Sequence, residues 1–210
     1  MKLDTAMRRT AAAALVLILA ACGNAPDGPP VSDSWVRVDA RGGTLPADER
    51  TGHHCVLDRS SGLMWEVKRD APGLHHFGHT YTWYSDDRER HMSEPGQADG
   101  GLCEGSPCDT RAFVDAVNAA GLCGHDDWRL PGREELMSLG DKRLRASGMI
   151  VDAEFFPHVL AEEYWTFETF RLYPQSAWAV SMKNGLDRAD RKTEAKAVRL
   201  VRRHRDEQGD

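Results

Sequence analysis

The stretch Gly121 to Leu136, GLCGHDDWRLPGREEL, constrains this chain more than any other. Just upstream, Phe113, Val114, Val117 and Ala120 share one face at helical spacing, so Thr110 to Ala120 is expected to be a helix capped by Asp109 or Thr110. Gly121 stands where a left-handed residue ends such a helix. A tight turn then carries Trp128 and Arg129 into Pro131, which begins the next element. That element is a short amphipathic helix from Arg133 with Glu134, Glu135, Leu136 and Leu139, closed by Gly140. Asp127-Trp128-Arg129-Leu130-Pro131 reads as a folding staple, because Trp128 and Leu130 bury apolar area. Arg129 is always charged, so turned inward it needs a carboxylate such as Asp127, Glu134 or Glu135. The competing reading places Arg129 and Asp127 in a ligand pocket.

Strand signals flank this region on both sides. Trp35–Val38 alternates, and Cys55–Asp58 and Leu63–Val67 are joined by the turn-rich Arg59-Ser60-Ser61-Gly62. Thr80–Tyr84 is β-branched and aromatic. After the helices come Tyr164–Phe167, Ala177–Ser181 and Ala197–Val201. Strands, then two helices, then strands is an α+β order and not a repeating βαβ one. Ser85–Cys108 is a long loop rich in Gly, Asp and Glu, of the kind that is usually functional or stapled. No internal repeat of fixed period is visible.

The first residues read as an address. Lys2, Arg8 and Arg9 precede the apolar run Ala11–Ala20, about half the ~20 residues of a membrane span and so a signal-peptide core. It ends in Leu19-Ala20-Ala21-Cys22-Gly23, similar to the bacterial lipobox in which the cysteine is acylated; an ordinary cleavage after Ala21 is the alternative. Residues 1–21 are thus expected to be a lipoprotein signal peptide and 22–33 a Pro/Gly-rich flexible tether. One domain is expected over 34–205, followed by a frayed tail, 206–210. A diacylated Cys22 would hold the protein to a membrane without a spanning helix. Gly23, by the sorting rules of such proteins, points to the outer membrane of a bacterial envelope, periplasmic or surface-exposed. Removing residues 1–21 takes away three basic residues and one acidic one, so the net charge of −6 becomes −8. That balance argues against nucleic acid as a partner.

With Cys22 lipidated, Cys55, Cys103, Cys108 and Cys123 remain, an even set that reads as disulfides in an exported chain and allows three pairings. Cys103 and Cys108 flank a Glu-Gly-Ser-Pro turn that brings them together, which would leave Cys55 to tie the first strands to Cys123. Zinc or catalytic thiols are the competing readings, without a C-x2-C spacing to support them.

Several motifs taken together resemble a known family. Gly62-Leu63-Met64-Trp65-Glu66, Tyr81-Thr82-Trp83, Gly121-Leu122-Cys123-Gly124, Asp127-Trp128-Arg129-Leu130-Pro131, Trp165-Thr166, Ala177-Trp178 and Val198-Arg199-Leu200-Val201-Arg202 resemble, in order, the C-terminal domain family of Lcl, a collagen-like adhesin, over about residues 51–203. The resemblance implies a C-type-lectin-like mixed fold with short antiparallel sheets and two helices, akin to formylglycine-generating enzymes. It implies an adhesin-like role too, since the best-known member binds glycosaminoglycan as a trimer on its collagen-like stalk. This chain has no Gly-X-Y stalk.

Binding candidates follow. Arg199, Arg203 and Arg205 share one parity, so on an extended strand they would form a stripe able to bind sulfated or carboxylated glycan; a charge-protected edge strand is the plainer reading. Met64-Trp65, Trp83, Trp165 and Trp178 read as core, with at least one a candidate for exposure. His53-His54, His75-His76, His79, His91 and His125 read as solvated loop histidines in preference to metal ligands. No cofactor is expected; Ca²⁺ on Asp86, Asp87, Glu94, Asp99 or Asp126 is a weaker alternative. Three classes of function compete. One is a non-catalytic module binding polysaccharide or a protein partner, another a structural accessory lipoprotein of the envelope. The last is an enzyme akin to the formylglycine generators, disfavoured because stapled cysteines supply no reactive pair.

Overall fold

A computed structural model describes residues 30–204. Cys22, the expected signal peptide, most of the tether, Arg205 and the tail lie outside those residues. Among the described residues no helix is long and apolar enough to cross a membrane.

Four strands form the central sheet: β1 (Trp35–Val38), β2 (Cys55–Asp58), β3 (Leu63–Glu66) and β9 (Val201–Arg203), in the order β1-β2-β3-β9 and antiparallel throughout. β2 and β3 are buried at every position. The reason is that both faces of this sheet are covered. Val56, Leu63 and Trp65 point into a core built with Trp35, Leu136, Phe156, Tyr164 and Val180. Cys55, Leu57 and Met64 point the opposite way, into a core with Trp83, Phe113, Val117, Trp128 and Trp165. Trp65 is one of the large side chains buried completely.

The second core is closed by α1 (Thr110–Ala120). Its start and stop are local: the Asp109 carboxylate accepts the Ala112 N–H at 2.9 Å, and Gly121 ends the helix at φ 66°, ψ 46°. A 3₁₀ turn, Leu122–Gly124, then presents Cys123, which is bonded to Cys55 and so ties the helix end to β2. Cys103 is bonded to Cys108, closing the end of the long loop. α2 (Arg133–Ser138) begins where the Glu135 carboxylate reaches back to the Gly132 N–H at 2.8 Å.

A three-stranded antiparallel sheet follows, β5 (Glu163–Thr169), β6 (Ser176–Ser181) and β7 (Asp187–Arg191), with β6 in the middle. The short pair β4 (Tyr81–Thr82) and β8 (Ala195–Lys196) connects the layers. Over the described residues the architecture is α+β with short antiparallel sheets, two helices and two disulfides.

Two local expectations fail, and one strand was not expected. Thr80–Tyr84 is a strand only at Tyr81–Thr82, because its flanks make single bridges to Leu102 and Gly96 in the long loop. β7, Asp-Arg-Ala-Asp-Arg, has no apolar alternation and was not expected. Ala197–Leu200 does not extend as a strand: the Leu200 N–H turns to the Glu66 carboxylate at 3.0 Å, and regular pairing starts at Val201.

Candidate functional site

The Asp127–Pro131 segment is held by both of its neighbours. The Asn118 amide receives the Trp128 N–H at 2.7 Å and donates to the Trp128 carbonyl at 2.9 Å, while the indole N–H donates to the Leu122 carbonyl. Arg129 exchanges two backbone hydrogen bonds with Val201 of β9. Its guanidinium grips Glu135 with two bonds of 2.7 Å, so of the three carboxylates considered it is Glu135 that answers Arg129. Asp127 is taken instead by Arg202, and this ion pair holds the Asp127 carboxyl below its usual range against the opposing effect of burial.

The Pro131 carbonyl accepts the Phe167 N–H at 3.0 Å, which sets Phe167 of β5 beside α2. Register with β6 shifts between Trp165 and Thr169, so Phe167 does not follow Trp165 into the core. Its ring is half-buried. Gly132 lies beneath it, and a Cβ there would stand 3.3 Å from the ring edge. Trp178 on β6 is half-buried too, with Phe170 edge-on at 5.0 Å. Each ring carries a cation: the Arg90 guanidinium lies 4.8 Å from the centroid of Phe167, and that of Arg133 4.5 Å from Trp178.

Arg90 is delivered by the long loop. His91, buried, anchors that loop edge-on to Trp83 with its Nδ1 2.9 Å from the Thr169 hydroxyl. Burial and the nearby Lys192 keep the His91 imidazole below its ordinary pKa. A hollow of about 380 Å³ lies under this loop, floored by Phe167 and Trp178 and walled by Glu89, Arg133, Glu168 and Arg171. Such a volume falls at the small end of the ~300–1,000 Å³ typical of ligand sites.

Among the described residues the expected arginine stripe does not form. Arg199 is 1 % exposed, donates to the Glu66 carbonyl and lies 4.6 Å from the Phe156 centroid; only Arg203 is exposed on β9, and Arg205 is outside the described residues. Parity failed as a guide because the segment before Val201 is not a strand. Of the staple residues, Trp128 and Pro131 are buried and Leu130 half-buried; none of the five lines this hollow, and Arg129 and Leu130 line a neighbouring one. His53, His79 and His91 are buried and not solvated loop histidines, and burial lowers the pKa of each. Among the described residues no three His, Cys, Asp or Glu side chains converge as a metal set. The Asp86 carboxylate pairs with Arg111, and that of Asp99 accepts the Cys108 N–H at 2.7 Å.

One buried ionic cluster escaped sequence reasoning. Glu66 on β3 is wholly buried, with Oε1 2.8 Å from both Lys68 Nζ and His75 Nδ1. Burial alone would raise its pKa, but Lys68 and His75 outweigh that and bring it down to about 2. Lys68 lies 4.1 Å over Phe113. The alternation of Glu66 and Lys68 across Val67 looks like an exposed strand edge; His75, the Leu200 N–H and Phe113 of α1, all outside that alternation, close over it.

The family model described as the Lcl C-terminal domain matches residues 54–202. Comparison with curated proteins returned no match.

Proposed function

The chain belongs to the Lcl C-terminal domain family, and from that premise we propose that it is a lipid-anchored protein of the bacterial envelope whose domain, a C-type-lectin-like scaffold, binds polysaccharide without catalysis. The observation that carries this reading is the pair of half-buried rings, Phe167 and Trp178, each with a guanidinium over its face on the wall of one hollow. Flat aromatic faces pack against the C–H faces of sugar rings, and fixed guanidinium and carboxylate groups beside them orient hydroxyls. The apolar run ending at Ala21-Cys22 supports the anchor and the outer-membrane location. Cys55, Cys103, Cys108 and Cys123 are all paired, which removes the reactive thiols that the formylglycine-type chemistry requires.

A panel of immobilised polysaccharides tests the binding reading. Retention on at least one of them that weakens about tenfold in Trp178→Ala supports it, and no retention on any, or retention indifferent to that substitution, sinks it. Metabolic labelling with radioactive palmitate tests the anchor: wild type should carry label and Cys22→Ser none. One observation favours a second reading, docking to an envelope protein as an accessory subunit. The turn between β5 and β6 exposes Leu172 and Tyr173 by 76 % and 60 %. Crosslinking to a single partner, abolished by Leu172→Ser/Tyr173→Ser while glycan retention stays absent, would favour it.

A further inference from the structure

The hollow over Trp178 is one of three that meet. A second, of about 400 Å³, lies over Gly132 and Glu135, and a third, of about 320 Å³, runs along α1 past Val114 and Leu130. Phe167 and Arg90 are the two residues that line all three. Phe167 is fixed by its backbone bond to Pro131, whereas Arg90 is exposed and rests its guanidinium on the ring where the hollows join. Lifting that one flexible side chain would open the hollows onto one another across the face of the ring.

The walls are ionic yet balanced. Arg129 is held by Glu135, Arg133 lies 3.1 Å from Asp187, and Arg111 lies 2.8 Å from Asp115. A guanidinium already neutralised by a carboxylate has spent the field that would hold a polyanion. The pair still offers planar donors beside planar acceptors, a complement for vicinal hydroxyls. A small hollow gives one sugar little buried area against the cost of binding, while a chain crossing several gains contact with each added ring.

We propose that the three hollows are consecutive subsites for a linear, uncharged glycan, whose middle ring stacks on Phe167 in place of the Arg90 guanidinium. This rests on the polysaccharide reading above and adds the length, charge and seating of the ligand. Arg90, once displaced, donates to the hydroxyls of the same ring, so it selects a polyhydroxylated face over a plain apolar one.

The test is titration calorimetry of the mature chain with cello- and chito-oligosaccharides, from single sugar to hexamer, beside oligogalacturonates of the same lengths and a polyglutamate peptide, at low and high salt. In a neutral series, affinity is expected to rise about tenfold with each unit up to the trimer and then level off, with no loss at high salt. Phe167→Ala should cost the trimer about a hundredfold, and Phe167→Tyr, which keeps the stacking face, less than about threefold. Thermal melts of both variants separate lost binding from lost folding. Affinity independent of length, or an unchanged trimer affinity in a folded Phe167→Ala, overturns the subsite assignment. Tighter binding of the oligogalacturonates that fades with salt overturns the uncharged ligand and leaves the polysaccharide reading standing. Binding of polyglutamate with no sugar bound overturns both.

Discussion

Replacing Glu66 by Gln tests the buried ionic cluster most directly. The carboxylate is wholly buried, and its partners are Lys68 and His75 at 2.8 Å and the Leu200 N–H at 3.0 Å. Its pKa falls from an ordinary 4.5 to about 2 in the folded protein. A carboxyl lowered on folding stabilises the protein fully above pH 4.5, and the contribution is lost as pH drops from there toward 2. At roughly 1.4 kcal/mol per pH unit, that interval corresponds to about 3 kcal/mol. Gln keeps the shape and removes the charge, so Lys68 is left as a buried cation without its counter-ion. Breaking such a pair on one side typically costs ~3–5 kcal/mol. Urea denaturation followed by tryptophan fluorescence, with the disulfides intact, should show Glu66→Gln less stable by that amount at neutral pH. Its stability should also fall less steeply than wild type in acid. Glu66→Gln/Lys68→Met should recover much of the loss, because neither charge then remains buried. A Glu66→Gln protein within ~1 kcal/mol of wild type at neutral pH, with the wild-type acid limb preserved, would refute the reasoning.

Further outcomes are expected elsewhere. The Cys55–Cys123 bridge closes a separation of 68 residues and Cys103–Cys108 one of 5. Loop entropy therefore predicts a loss of ~4 kcal/mol for the double serine variant of the first and ~2 for the second; equal losses in urea melts would contradict it. Lys192 lies 4.1 Å over Trp83, and burial brings its amine to about 8, with Glu94 opposing only in part. A ¹³C-labelled Lys192 Cε should titrate there, and stability should rise as pH climbs from about 8 toward 10.5, where the unfolded chain still holds the proton; an ordinary lysine titration rules this out. Arg129→Lys removes one arm of the fork on Glu135. The pair is partly exposed, so a loss of only ~1 kcal/mol is expected in a thermal melt, and no loss would show that the pair contributes nothing.

How much was legible depended on range. Asp109 and Gly121 bracket α1 through bonds made within a few residues, so spacing and side-chain type were enough. Trp35–Val38 and Cys55–Asp58 read as strands from their own residues. β7 was missed because it is held by antiparallel backbone pairing with β6, which its own polar residues do not signal. Arg199 was misplaced because its burial depends on Glu66, 133 residues away in the chain, and on Phe156. The staple was read as packing, and that is where Trp128 and Pro131 stand, but of the rings that form the hollow Trp178 was not distinguished from the core tryptophans and Phe167 was read only as part of a strand.

Short-range chemistry alone dictated the caps, the turns and the Cys103–Cys108 bridge, since each such choice is made among neighbours along the chain. Which aromatic faces stay open to solvent, and which charges are sealed inside, was decided only when distant strands met. Solvent access is a property of what lies on top of a residue, and in this protein the covering groups come from remote parts of the sequence.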